Sequence, residues 1–312
     1  MKSPSKVIVG ILLVIAVVTF SAVAFGDPFT SVVVYGDSLS DNGNLYSAFP
    51  AFRPFQPTPP YYDGRRSNGP VAVEYLAQRL GAPLVDYAWI GATTGKGNFV
   101  DGGTPDALGA LGMPGMRTAY DATSGVPVDP NALYVIWGGP NDFYELTNPA
   151  DASLFIARAV TNILFLVGDL ESRGAQSILV PNMPDLGRTP EGIADPAASF
   201  FLTQVTMGFN SALFSAVELS DAQYFDTFSL VTDMANDPAK YGFTNVTGQC
   251  FNGVTVCADP DQYLFWDNVH PTTAAHSFMG DAMANAVPEP CTFLLLGTGL
   301  GAIGLVAWRR RR

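Results

Sequence analysis

The chain has two histidines, His270 and His276, and only His270 has a carboxylate at a useful spacing. Asp267 precedes it by three residues, so on one turn the carboxylate can meet Nδ1 of the imidazole and leave Nε2 free to take a proton. The candidate donor of that proton is Ser38, which follows an apolar run directly in Gly36-Asp37-Ser38-Leu39. If Ser38 enters a helix, the positive helix end would favour its alkoxide. Nucleophile, base and orienting carboxylate are the groups that acyl transfer requires. Each also has an ordinary reading: Ser38 and Asp267 as helix N-caps, His270 as a loop residue, Gly-Asp-Ser as turn chemistry. His276, in the helical stretch after Pro271, reads as a surface or capping residue.

Residues so far apart in sequence need a framework to meet. Thr30 to Tyr35 is a β-branched apolar run, the pattern of a strand buried on both faces, and Leu133 to Trp137 and Ser177 to Val180 repeat it. Leu84 to Ala88 and Gln223 to Asp226 are weaker copies. Asp151 to Arg173, Pro196 to Leu219 and Val71 to Leu80 have helical spacing. Strands alternating with helices predict a parallel sheet covered on both sides, with functional residues past the carboxyl ends of the strands. Polar loops do follow the strands: Gly36 to Asn44, Asp86 to Thr94 and Gly138 to Asp142, with Trp266 to Pro271 near the end of the domain.

Four such loops in this order resemble the blocks of the GDSL esterase/lipase family of the SGNH hydrolase superfamily. The matching residues are Gly36-Asp37-Ser38-Leu39, Gly91, Gly139-x-Asn141-Asp142 and Asp267-x-x-His270. Pro59-Pro60-Tyr61-Tyr62 and Gly64 to Pro70 are similar to a segment of the larger, lipase-type members, with Arg66 where those have Phe and Ile90 where many have a second Gly. The resemblance implies a three-layer α/β/α sandwich around a mostly parallel five-stranded sheet, the flavodoxin-like SGNH hydrolase fold. It also implies a catalytic set of Ser38, Asp267 and His270. The backbone N–H groups of Ser38 and Gly91 and the side-chain amide of Asn141 would then form the oxyanion hole, glycine at 91 letting the backbone approach substrate closely. Asp37, Asp41, Asn44 and Asp142 read as turn and cap residues. The aromatic loop of Phe49, Phe52, Phe55, Tyr61 and Tyr62, and the Gly-rich stretch Gly95 to Gly115, are each a lid, an acyl-binding wall or satellite core.

The two ends read as addresses. Residues 1–24 have the form of a signal peptide: Lys2 and Lys6, the apolar run Val7 to Phe20, then Ala22-Val23-Ala24. Residues 25–287 form the hydrolase domain. Residues 288–312 begin with Pro288-Glu289-Pro290-Cys291, continue as an apolar run from Thr292 to Trp308 and finish in four arginines. This end resembles the PEP-CTERM sorting signal of Gram-negative bacteria, which implies export, an exosortase-type processing enzyme as partner, and transient anchoring in the inner membrane through the C-terminal helix. Delivery to the envelope surface or extracellular matrix would follow. The alternative is a permanent anchor.

Only 14% of residues are charged and 48% are hydrophobic, which predicts a large core and excludes disorder. With the six basic residues and one acid of the two ends removed, 10 Lys and Arg face 27 Asp and Glu, a formal charge of -17. That surface repels phosphate backbones and anionic headgroups, so nucleic acid is excluded as a partner and a small neutral ester or lipid substrate is favoured. Cys250 and Cys257 bracket a short polar segment and are expected to form a disulfide in an oxidising compartment, a metal pair being the rival. There is no Walker loop, dinucleotide fingerprint or zinc-ligand spacing, so no cofactor and no metal are expected. Asn245-Val246-Thr247 is a glycosylation sequon by pattern only. The expected function is an exported serine esterase or lipase. Exopolysaccharide O-deacetylation and a catalytically idle surface protein on the same fold are the competing readings.

Overall fold

The computed structural model describes residues 29–50, 58–144, 146 and 148–287. The expected signal peptide, Phe52 and Phe55 of the aromatic loop, and the sorting segment with Cys291 lie outside the described residues.

Five short strands form the central sheet: β1 (Val32–Gly36), β2 (Leu84–Asp86), β3 (Leu133–Trp137), β4 (Ser177–Pro181) and β5 (Gln223–Phe225). They are parallel throughout, in the order β2-β1-β3-β4-β5. The register sets Val32 beside Leu84 and Leu133, and Gly36 beside Trp137. Gly36 is required there, since a Cβ would stand 2.8 Å from the Trp137 carbonyl oxygen.

Alternation along the strands feeds two cores, as the pleat dictates. Val32, Val34, Val135, Trp137 and Leu179 pack with helices α1 (Ala72–Leu80), α5 (Thr227–Asn236) and α6 (Thr273–Ala286). Tyr35, Tyr134, Ile136, Ile178 and Val180 pack on the opposite face with α2 (Met116–Ala122), α3 (Ala152–Ser172) and α4 (Pro196–Val217). The result is a three-layer α/β/α sandwich in which both sheet faces are covered. Burial on both sides is why the strands read as continuous apolar runs and not as polar-apolar alternation.

Two further strands, β6 (Asn245–Gln249) and β7 (Tyr263–Phe265), form a small separate parallel pair that the sequence pattern does not predict. β6 is half-buried at most, so it carries no apolar signature. β7 leads into the loop of Asp267 and His270, and α6 follows that loop, its first turn capped by Thr272. α6 lies close against α1 because residue 280 is glycine: a Cβ would sit 2.5 Å from the Ala72 carbonyl oxygen.

Candidate active site

β1 and β3 are neighbours, while β2 lies outside β1, so the strand order reverses at the carboxyl ends of β1 and β3. Such a switch point opens a crevice where loops can present side chains. Ser38 leaves β1 there, Asn141 follows β3, and Gly91 lies past β2.

Ser38 stands in a single turn and not at the start of a helix as its position after the strand predicts. Ser40 and Asp41 donate backbone N–H bonds to the Asp37 carbonyl at 3.1 and 2.9 Å, and the next helix, Asn44–Ala48, is only five residues long. The helix-end argument for its alkoxide therefore lapses. The Asp37 carboxylate braces the same turn by accepting the Leu39 N–H at 3.0 Å. The Ser38 N–H and the Gly91 N–H donate to no protein group among the described residues.

The loop after β7 brings His270 across to this turn. Its Nε2 lies 2.8 Å from Ser38 Oγ, and its Nδ1 lies 2.8 and 2.9 Å from Asp267 Oδ1 and Oδ2. Asp267 Oδ1 also accepts the N–H groups of Val269 and His270 at 3.0 and 2.8 Å, so the Asp267-x-x-His270 segment is a closed turn that orients its own imidazole. Burial alone would raise the Asp267 carboxyl, but the charge of His270 and these donors outweigh it and hold the group well below the usual carboxylate range.

Asn141 Nδ2 donates to the Ala92 carbonyl at 3.0 Å and points its other hydrogen towards Asp37 Oδ2 at 3.5 Å, a weak contact. One donor of the amide is thus held by the loop after β2 and the other is nearly uncommitted. Gly91 has a positive φ of 77°, and a Cβ there would stand 2.5 Å from both Asn98 Oδ1 and Val100 Cγ2. Glycine at 91 is accounted for by this backbone conformation and packing, a different reason from close approach to substrate.

The remaining aspartates tie loop to loop. Asp41 accepts the N–H groups of Gly43, Asn44 and Leu45 and, from the loop after β2, that of Ile90 at 2.7 Å. Asp142 accepts both the N–H and the hydroxyl of Thr94. Burial raises Asp37 to about 7, with the charge of Asp142 adding to it, and burial raises Asp41 to about 6. Their range therefore exceeds that of local turn residues.

His276 is not at the surface. It is 1% exposed, its Nδ1 accepts the Ala72 N–H at the start of α1, and burial lowers it to about 3. Of the two roles read from the sequence it has the capping one, for a helix far away in the chain.

Two tyrosines stand near the site: Tyr61, read from the sequence only as part of the aromatic loop, and Tyr144, which carries no readable signal. Tyr61 donates its hydroxyl to Asp267 Oδ2 at 2.8 Å and packs edge-on against Phe251 and Trp266, so it supports the site rather than forming a lid. Tyr144 stacks on Phe99 at 4.3 Å. The residue is partly exposed, yet burial of its hydroxyl raises it to about 12, with Glu191, Asp267 and Asp37 contributing charge. Phe49 meets Trp89 and joins a satellite cluster with Leu45, Ile90, Val100 and Met113. The Gly-rich stretch is a knot and not a loose lid: Lys96 and Gly97 donate to Pro105 and Thr104, and a Cβ at Gly97 would lie 1.9 Å from the Ala107 carbonyl. Cys250 and Cys257 are disulfide-bonded, with a S–S distance of 2.00 Å. Among the described residues no group of three or more His, Cys, Asp or Glu is placed to hold a metal ion.

A base joined to a hydroxyl on one side and a buried carboxylate on the other, beside uncommitted N–H donors, is equipped for nucleophilic acyl transfer. The chain is similar to several known proteins. The GDSL-like Lipase/Acylhydrolase family matches residues 32–283, and the PEP-CTERM protein-sorting motif matches residues 286–312. A phosphatidylcholine-sterol acyltransferase of Aeromonas hydrophila is 25% identical, covering 91% of this chain and 97% of its own length. Esterase EstA of Pseudomonas aeruginosa is 30% identical over 86% of this chain, which spans only 48% of that protein. Among solved structures, a lipase/acylhydrolase from Enterococcus faecalis superposes with a TM-score of 0.42 at 13% identity, covering 83% of this chain and 97% of that one.

Proposed function

The chain belongs to the GDSL-like lipase/acylhydrolase family and is a carboxylic ester hydrolase, and from that premise we propose that it works through a Ser38 acyl-enzyme with His270 as base and Asp267 as its orienting carboxylate. The observation that carries this reading is the unbroken hydrogen-bond chain from Asp267 through His270 to Ser38, each link 2.8 Å. Ser38 Oγ attacks the ester carbonyl carbon as its proton passes to Nε2, and Asp267 stabilises the imidazolium through Nδ1–H. The carbonyl oxygen, now an oxyanion, takes hydrogen bonds from the N–H groups of Ser38 and Gly91 and from Asn141 Nδ2. The imidazolium returns its proton to the leaving alcohol. Water, deprotonated by Nε2, then attacks the acyl-enzyme and releases the carboxylic acid and free Ser38.

The relatives' names support acyl-ester chemistry, one being an esterase and one an acyltransferase acting on phosphatidylcholine and sterol. The acidic composition and the exposed aromatic pair Phe99 and Tyr144 favour a neutral ester or lipid substrate. The PEP-CTERM motif indicates export in a Gram-negative bacterium with a C-terminal anchor. In our reading residues 25–287 are the exported catalytic domain, an exosortase-type enzyme removes the sorting segment, and the product resides at the envelope surface or in the matrix.

The test is hydrolysis of p-nitrophenyl esters of graded acyl length, with an acetylated polysaccharide run in parallel. Ser38→Ala and His270→Ala should each abolish turnover while retaining the wild-type Tm. Substantial turnover by either folded variant would sink the triad. Release of acetate from the polysaccharide with no activity on acyl esters would favour the deacetylase reading.

A further inference from the structure

Asp267 has two oxygens with unequal support. Oδ1 accepts the N–H groups of Val269 and His270 in addition to Nδ1 of the imidazole. Oδ2 shares Nδ1, and its only other donor among the described residues is the hydroxyl of Tyr61 at 2.8 Å. The carboxylate is 6% exposed, so water is a poor substitute for that donor. The phenol is itself held in place: its ring lies edge-on to Phe251 at 5.6 Å and to Trp266 at 6.2 Å, and the Arg66 guanidinium lies 5.4 Å from its centroid.

Resting on the triad reading, we propose that Tyr61 is a positioning residue of the reaction, holding Oδ2 of Asp267 so that the carboxylate faces the imidazole and its charge is shared between His270 and the phenol. Tyr61 comes from a segment that grips the Asp–His loop at several points. Ser67 Oγ donates to the Pro271 carbonyl at 2.9 Å, and Asn68 Oδ1 accepts the Thr273 N–H at 2.9 Å. These other bonds anchor backbone on the far side of His270. Among the bonds this segment makes within the described residues, only that of Tyr61 reaches the carboxylate that holds the imidazole. Burial and the Asp267 charge both raise the phenol's pKa, so it remains a donor throughout the working range.

The consequence for catalysis has a definite sign. A hydrogen bond to Oδ2 draws charge from the carboxylate and reduces its hold on a protonated imidazole. Removing the phenol hydroxyl should strengthen that hold, so the base is lost to protonation at a higher pH, while the unpinned carboxylate orients the imidazole less well. The other titratable or charged groups near the pair are Arg66 beside Tyr61, Asp37, Tyr144, Glu191, which accepts from Asn268 of the same loop, and His276. Tyr61→Phe leaves all of them in place and keeps the ring packing.

The experiment compares wild type, Tyr61→Phe, Ser67→Ala and Ser38→Ala on one p-nitrophenyl ester across pH 5 to 9, with Tm recorded for each. Tyr61→Phe should lower kcat by roughly 10-fold with KM nearly unchanged. It should also move the acid limb of kcat/KM up by about half a pH unit. Ser67→Ala should lower Tm and leave that limb where it is. A Tyr61→Phe enzyme with wild-type kcat and acid limb, or a Ser67→Ala enzyme whose limb moves equally, overturns the proposal. Ser38→Ala separates this failure from that of the triad: an active Ser38→Ala enzyme removes both readings, whereas an inactive one beside an unaffected Tyr61→Phe removes only this one.

Discussion

The site is built from two loops that use the same residue type in opposite ways. The turn after β1 carries Asp37 and Asp41, and the loop after β7 carries Asp267. All three carboxylates are nearly fully buried, and all three accept backbone N–H groups close in sequence. Yet burial leaves Asp37 raised to about 7 and Asp41 to about 6, while Asp267 is held below the carboxylate range. Backbone N–H groups are dipoles and offset only part of the cost of burying a charge. Asp267 has in addition a basic ring at 2.8 Å, and that reverses the sign. Asp37 has the opposite kind of neighbour, the acid Asp142. One loop is therefore a brace that tolerates protonation, and the other is a charge kept for the imidazole.

The sharpest way to break this contrast is Asp267→Asn, which leaves shape almost unchanged and removes the charge. The amide no longer selects the Nδ1–H tautomer, and kcat/KM should fall by on the order of 10⁴-fold with the fold intact. A loss of 10-fold or less, measured at saturating and subsaturating ester, would mean that His270 does not depend on this carboxylate. Asn141→Ala, at the proposed oxyanion donor, should lower kcat by roughly 10²-fold with little change in KM, because such a donor acts on the transition state. A rise in KM alone would make Asn141 a substrate-binding residue.

The brace side predicts a pH effect on stability. Asp37 and Asp41 have folded-state values above their ordinary 3.8, so the stability they contribute is fully present below that value and is lost as pH rises through about 6 and 7. Asp267 has the opposite sign: its contribution is present above the ordinary carboxylate value and is lost as pH falls below it. Asp37→Asn should therefore flatten the fall in Tm between pH 4 and 8 by several degrees, as calorimetry would show. An unaltered slope would mean that Asp37 titrates normally.

The smallest effect is expected at the disulfide, which staples the segment supporting the Asp–His loop: Cys250 and Phe251 donate to the carbonyls of Phe265 and Trp266. The bridge spans a sequence separation of 7, so the closed loop is short and reduction should cost about 2 kcal/mol, a modest drop in Tm. Activity below the new Tm should persist. Loss of activity without loss of Tm would show that the bridge also positions His270.

Much of this was legible in the residues. Val32 to Gly36 and Leu133 to Trp137 read as strands because burial on both faces leaves an unbroken apolar run, and α3 and α4 read as helices because apolar spacing repeats each turn. Asp267 and His270 could be paired because three residues is one turn, a purely local relation. Ser38 after a strand suits a helix start as well as a turn, and it is the Asp37 carbonyl and carboxylate, accepting N–H groups of residues 39 to 41, that make it a turn. β6 went unseen because a half-exposed strand leaves no apolar periodicity.

The sequence by itself determined the layers, the strand order's raw material and the kinds of chemistry available, since these follow from periodicity, composition and short spacing. Only the tertiary structure decided which partner each polar group meets. Tyr61 and Asp267 are 206 residues apart and Ser38 and His270 are 232 apart, and no local rule relates them. The same holds for charge. Asp37 and Asp267 are indistinguishable as letters, and it is burial beside Asp142 or beside His270, fixed by packing across the sheet's carboxyl end, that gives them opposite titration.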